Sequence, residues 1–163
     1  MWKELNQTLP NPPPELVDVS QVPEPYHLWL GHTGLVVPKM EKFFGQTFKT
    51  SFIDKKLDDQ LFTSKTFFSF ENENMLVSYM HINLSSFSQE VGAEIVEGKK
   101  SLGRIITKAG IEVDMLLHSL VKIFNWKDVV EDVSSPVYGR LVTFFVKGKP
   151  AVELFEIAIN AKQ

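Results

Sequence analysis

The chain reads as an α+β domain, an antiparallel sheet covered by helices on one face. Strand-like apolar runs come in pairs joined by turn residues, at 61–84 and again at 138–160. Segments with caps or helical spacing cluster between those pairs instead of alternating with single strands. The 163 residues are 44% hydrophobic and 23% charged, which suits one domain with a single substantial core. Phe, with 13 copies, is the compositional outlier and fits a β-rich core or a bulky apolar cavity.

Residues 1–25 hold six of the prolines (Pro10, Pro12, Pro13, Pro14, Pro23, Pro25), so neither a continuous helix nor a central strand forms there. This is an N-terminal arm, with Leu16, Val17 and Val19 as its anchors, and residues 26–163 make the single domain. Val37–Phe44 is a short helix: Pro38 suits its first turn, Met40, Phe43 and Phe44 form its apolar stripe, and Gly45 stops it. Phe48–Ile53 is a strand, followed by a polar connection over 54–60. Leu61–Phe70 and Met75–Leu84 form a hairpin about Glu71-Asn72-Glu73-Asn74. Ser64, Thr66, Phe68 and Phe70 share one face of the first arm; Met75, Val77, Tyr79 and His81 share one face of the second. Ser86–Glu97 is a serine-capped helix ended by Gly98, and Leu102–Lys108 a short helical turn broken at Gly110. Apolar residues at 113, 116, 117, 120, 121 and 124 predict an amphipathic helix over Val113–Trp126. A long hairpin closes the chain, turning at Lys147-Gly148-Lys149-Pro150. Its second arm carries Glu153 and Glu156 inside an apolar run, where a carboxylate is costly to desolvate and is either edge-exposed or kept for a task.

The net charge of −3 and the lack of a basic cluster argue against nucleic acid as a partner. No apolar run has the length of a membrane span, and Met1-Trp2-Lys3-Glu4 does not begin a signal peptide, so a cytoplasmic protein is expected. The absence of Cys excludes disulfides and thiolate chemistry. His27, His32, His81 and His118 have no ligand spacing, which predicts no metal and no cofactor. Gly31-His32-Thr33-Gly34 is too short for a phosphate loop, and no G-x-S-x-G occurs.

Ser101-Leu102-Gly103-Arg104 opening a short helix, then Tyr138-Gly139-Arg140, then Gly148-Lys149-Pro150 followed by Glu in an apolar strand form an ordered series. In that order and spacing the chain, from about Leu28 to Ile159, resembles the chorismate pyruvate-lyase (4-hydroxybenzoate synthase) superfamily, as a divergent member. Leu28–Leu30 would be the family's opening strand. The resemblance implies a six-stranded antiparallel sheet backed by helices that encloses a small ligand cavity. The same fold serves as the effector-sensing domain of some bacterial transcription regulators.

The resemblance also implies a site. Where the family places two arginines, the gap-free match puts Ser64 and Tyr79. The Leu of the Leu-Gly motif is Leu102, and the Glu of the last strand falls beside Phe155. Glu153, by strand parity, or Glu156, by distance along the chain, stands in for it. Without the arginine clamp a dianion is poorly held; losing one such buried partner costs on the order of 2–5 kcal/mol. The expected substrate is therefore small and largely apolar.

The expected activity is a cofactor-free lyase-type elimination, rearrangement or cyclisation in an enclosed pocket. Glu156 or Glu153 would act as acid/base, with Tyr79 and His81 beside them and Ser64, Thr66, Phe68, Leu102, Arg104 and Arg140 binding substrate. Two alternatives stand beside it: an authentic chorismate lyase, and a non-catalytic small-molecule-binding module.

Overall fold

The computed structural model describes residues 14–124 and 136–159. Among them are seven strands, β1 (Glu15–Val17), β2 (Lys49–Asp58), β3 (Leu61–Phe70), β4 (Glu73–Asn83), β5 (Asp114–Ile123), β6 (Val137–Val146) and β7 (Lys149–Ala158). Four helices accompany them, α1 (Tyr26–Leu30), α2 (Val36–Phe44), α3 (Gln89–Glu97) and α4 (Leu102–Lys108). The strands form one antiparallel sheet in the order β1-β5-β6-β7-β4-β3-β2. The α+β class holds, with seven strands instead of six because β1 adds three residues along β5.

The turns follow from local chemistry. Glu71 and Asn72 both take positive φ, as do Lys147 and Gly148, the conformation that a two-residue hairpin loop requires. Left-handed Gly45 and Gly98 end α2 and α3, and the hydroxyls of Ser88 and Ser101 cap α3 and α4.

Four expectations need correction. Residues 54–58, read as connection, extend β2, and only Asp59-Gln60 turn the chain. Tyr26–Leu30 is a helical turn and not an opening strand; it buries Trp29 and Leu30, and the Gly31 N–H closes it on the His27 carbonyl at 2.9 Å. Val113–Trp126 is not a helix over its described part but strand β5, and Trp126 lies outside the described residues. A register shift between Leu117 and Ser119 inserts one extra residue there. The bulge breaks strict alternation, so inward positions 115, 117 and 120 mimic helical spacing. In the arm, Leu16 (75% exposed) and Val19 (41%) anchor nothing, whereas Val22 is 6% exposed and Val17 packs beside it. Residues 1–13 lie outside the described part.

Between sheet and helices lie two buried clusters. One gathers Trp29, Leu30, Met40, Phe48 and Leu76; the other joins Ile105 and Ile106 of α4 to Met80, Val142, Phe144 and Leu154 of the sheet. A third, with Val77, Val121, Phe155 and Ile157, lies on the opposite face.

Candidate functional site

Strand pairing decides which side chains can meet. Ser64 stands opposite Met80, Thr66 opposite Ser78 and Phe68 opposite Leu76, so these pairs share one face. Leu154 and Glu156, opposite Met80 and Ser78, continue that face onto β7, and α4 packs over it. Tyr79 instead pairs with Lys65 and Phe155, and His81 with Thr63 and Glu153. The lining expected to combine Ser64, Thr66 and Phe68 with Tyr79 and His81 is therefore divided between the two faces, because facing residues in an antiparallel pair point the same way. On its own face Tyr79 lies under the Lys65 ammonium, 5.4 Å from the ring centre, and stacks on Phe155. His81 and Glu153 line a groove of ≈ 290 Å³ with Leu61, Asn83 and Pro150. Burial pushes the Glu153 carboxyl up, and His118 works against that shift.

The choice between Glu153 and Glu156 is made by one bulge. Counting back from the Lys147-Gly148 turn would set Arg140 against Phe155. Pro150 lacks the ladder N–H, and the register slips by one residue between Phe144 and Phe145, where Phe145 faces Pro150 but Phe144 faces Val152. Arg140 thereby faces Glu156. Gly139 permits the close approach: a Cβ there would sit 2.9 Å from the Glu156 carbonyl oxygen.

Arg140 is fully buried and Glu156 is 5% exposed. The Arg140 Nε–H donates to Glu156 Oε2 at 2.7 Å, Nη1 to the His32 carbonyl at 2.6 Å and Nη2 to the Gly34 carbonyl at 2.8 Å. One guanidinium thus neutralises a carboxylate and holds the 31–34 loop onto the sheet. That loop leads directly into α2. In it, His32 Nδ1 accepts from the Gly34 N–H at 2.7 Å, while Nε2 is buried without a hydrogen-bond partner. Desolvation, reinforced by the charges of Arg140 and Lys39, lowers its pKa to about 4, so the ring is neutral near pH 7.

Two hollows of ≈ 20 Å³ each lie beside Leu102, and the second borders this ion pair through Glu156. Phe68, Met80, Ser101 and Leu102 line both. The first adds Phe52, Phe62, Thr66 and Lys100, the second Leu35, Ser78, Phe144 and Glu156. A water needs roughly 10–15 Å³ and a drug-sized ligand about 300 Å³ or more, so each hollow admits one water at rest. Both charged residues of these linings are paired: Lys100 sits 3.7 Å from Glu94, Glu156 on Arg140. Ser64 is buried beside Thr66, with 3.4 Å between the hydroxyls. Arg104 points elsewhere, donating to Glu41 and Thr47 at 2.9 Å each and so fastening α4 to α2 and the loop after it.

The structure brings together Thr66, Phe68, Leu102 and Glu156, with Arg140 behind Glu156 and Ser64 beside Thr66. Sequence reasoning missed Ser78, Met80, Ser101 and His32. Parity along β4 was the available signal for Ser78 and Met80; nothing short-range marked His32 as a partner of Arg140. Among the described residues no group of three His, Asp or Glu side chains could hold a metal ion, and no helix is long and apolar enough to cross a membrane.

No family model and no curated protein sequence matches the chain. Solved structures do. The effector domain of PhnF from Mycobacterium smegmatis superposes with a TM-score of 0.58 at 8% identity, over 79% of this chain and 90% of that one. In a structure of PhnF itself the TM-score is 0.57 at 8% identity, over 79% of this chain and 65% of that chain. The ligand-binding domain of a putative GntR-family transcriptional regulator from Bordetella bronchiseptica gives 0.50 at 8% identity, over 71% and 90%. At such identities the likeness establishes the fold, which is the chorismate lyase-like fold expected. The expected lyase or cyclase activity is corrected by these findings: the matching chains are regulator and effector domains, and the carboxylate beside the hollow is tied up by Arg140.

Proposed function

We propose that the chain is a non-catalytic module that binds a compact, uncharged and largely apolar small molecule carrying one or two hydrogen-bonding groups. The observation that carries this reading is the state of Glu156. It borders the hollow, yet its charge is met by a buried guanidinium that is itself held by two carbonyls. A carboxylate so engaged is a poor proton shuttle, and an arginine so engaged has little left for an anionic guest. What remains to greet a ligand is apolar surface with the hydroxyls of Thr50, Thr66, Ser78 and Ser101. The likeness to effector and ligand-binding domains supports the same reading.

Phe68, Met80, Ser101 and Leu102 line both hollows, so a guest of more than a few atoms enters by moving some of them. The Arg140 anchor joins this region to the 31–34 loop and to α2, whose Leu35–Pro38 entrance borders the second hollow. Ligand entry is thereby coupled to the position of a helix, which is what a sensing domain requires.

The test is mass spectrometry of the natively purified chain for retained metabolites, followed by calorimetric titration of what is found. The expected result is a neutral molecule bound at one site per chain and recovered chemically unchanged. Tight uptake of a dicarboxylate, or conversion of the bound molecule into another, overturns the reading.

A further inference from the structure

We infer that β2 is a self-docking edge, through which two copies of the chain pair antiparallel about a twofold axis at Lys55 and join their sheets. This is independent of the ligand-binding reading. The two ends of the sheet differ: the β5 edge is covered in part by β1, while the ten-residue β2 has no strand on the side away from β3 among the described residues. A long bare edge is a template for pairing unless something blunts it. Lysines and bulges are the usual blunting devices, and β2 has both: Lys49, Lys55, Lys56 and a register shift between Phe52 and Asp54.

The pattern of those residues nonetheless fits a second copy. A twofold axis that keeps both helix layers on one side makes one residue face itself. With that residue at Asp54, two aspartates meet. With it at Lys56, Asp54 meets Asp58. With it at Leu57, only three positions of the strand overlap before the Asp59-Gln60 turn. With it at Phe52, Lys49 meets Lys55. With it at Ile53, nine positions overlap but Asp54 meets Phe52 and Lys56 meets Thr50, so neither charge is answered.

At Lys55, seven positions overlap (52–58), Asp54 of each copy faces Lys56 of the other, and Leu57 comes beside the Phe52–Ile53 bulge of the other. Ile53 (47% exposed) and Leu57 (52% exposed) are large apolar side chains left open to solvent, one on each side of Lys55. Lys55 itself is turned onto its own chain, with Nζ 3.4 Å from the Val96 carbonyl and 5.0 Å from the centre of the Phe52 ring. Its ammonium is thus drawn off the axis, where two like charges would otherwise meet. The charges that deter a random strand are self-complementary at this register alone among those that use most of β2.

The absence of native cysteine makes the test direct. In this register Lys55 faces its own copy with about 4.5–5.5 Å between Cα atoms, inside the range a disulfide spans. Under mild oxidation Lys55→Cys should link to itself, while Thr50→Cys, whose two copies lie roughly 30 Å apart, should not. By sedimentation equilibrium of the full chain, Asp54→Lys and Lys56→Asp should each weaken dimerisation roughly tenfold, and the double exchange should restore it. Circular-dichroism melting confirms that each variant is folded. A chain that stays monomeric across the micromolar range overturns the inference. So does preferential self-linking of Leu57→Cys, or a double exchange that fails to recover the dimer.

Discussion

Arg140 and Glu156 face each other across β6 and β7 with 2.7 Å between Nε and Oε2, and neither reaches solvent to any useful extent. A buried pair of this kind adds little net stability over apolar residues of the same volume, but breaking it strands a charge. Glu156→Gln should therefore cost about 3–5 kcal/mol in urea unfolding. A double replacement, Arg140→Met with Glu156→Leu, should recover most of that loss. A single variant within about 1 kcal/mol of wild type would show that solvent reaches the pair.

His32 gives the fold an acid sensitivity whose sign is fixed. Its folded pKa, about 4, lies below the ordinary 6.5. Between those values the unfolded chain binds the extra proton, so stability contributed by the neutral ring is fully present above pH 6.5 and is lost as pH falls towards 4. A shift of that size corresponds to roughly 3 kcal/mol at full weight; the ring is only half buried, and about 1–2 kcal/mol is expected after screening. His32→Asn, whose side-chain oxygen can still accept from the Gly34 N–H, should remove this component from the difference between unfolding at pH 7 and pH 4.5. An unchanged pH slope would refute it.

Glu153 predicts the opposite response on the other face. Burial raises its pKa above the ordinary 4.5, so the folded state holds the proton more tightly and this group's contribution declines as pH rises through that region. Glu153→Gln should stabilise the chain at pH 7 by roughly 0.5 kcal/mol, discounted because the side chain is partly exposed. Loss of stability in that variant would mean the carboxylate has a favourable partner.

Leu102 lines both hollows, with Phe68, Met80 and Ser101, and Leu102→Ala should join them. The cost should be about 2–4 kcal/mol in unfolding free energy. The enlarged, mostly apolar space should take up a neutral aromatic probe such as phenol, seen as a rise in melting temperature that the wild type lacks. If phenol shifts both proteins equally, it binds elsewhere.

Most of the fold was legible because its turns and caps are local. Gly45, Gly98, Ser101 and the Glu71-Asn72 turn each announce themselves within a few residues. Strand β5 was not legible, since the extra residue near His118 turns alternation into an apparent helical period. The site was legible by halves. Thr66 and Phe68, read from alternation along β3, lie on one face with Leu102 and Glu156, but Tyr79 and His81 depend on how β3 pairs with β4, which no single-strand pattern states. Likewise the meeting of Arg140 with Glu156 depends on where the hairpin slips, and Pro150 is the only mark it leaves in the sequence. Contacts such as Arg140 with the His32 carbonyl span more than a hundred residues and have no local signature at all.

The smallness of the hollows has a consequence for how any guest would be felt. Each hollow has space for one water, so on the proposed reading occupancy by anything larger selects a rarer, opened form. If that form were one chain in a hundred, observed affinity would be about a hundredfold weaker than the intrinsic affinity of the opened state. The same scarcity makes arrival conspicuous, because nearly every chain that captures a molecule must change shape to do so.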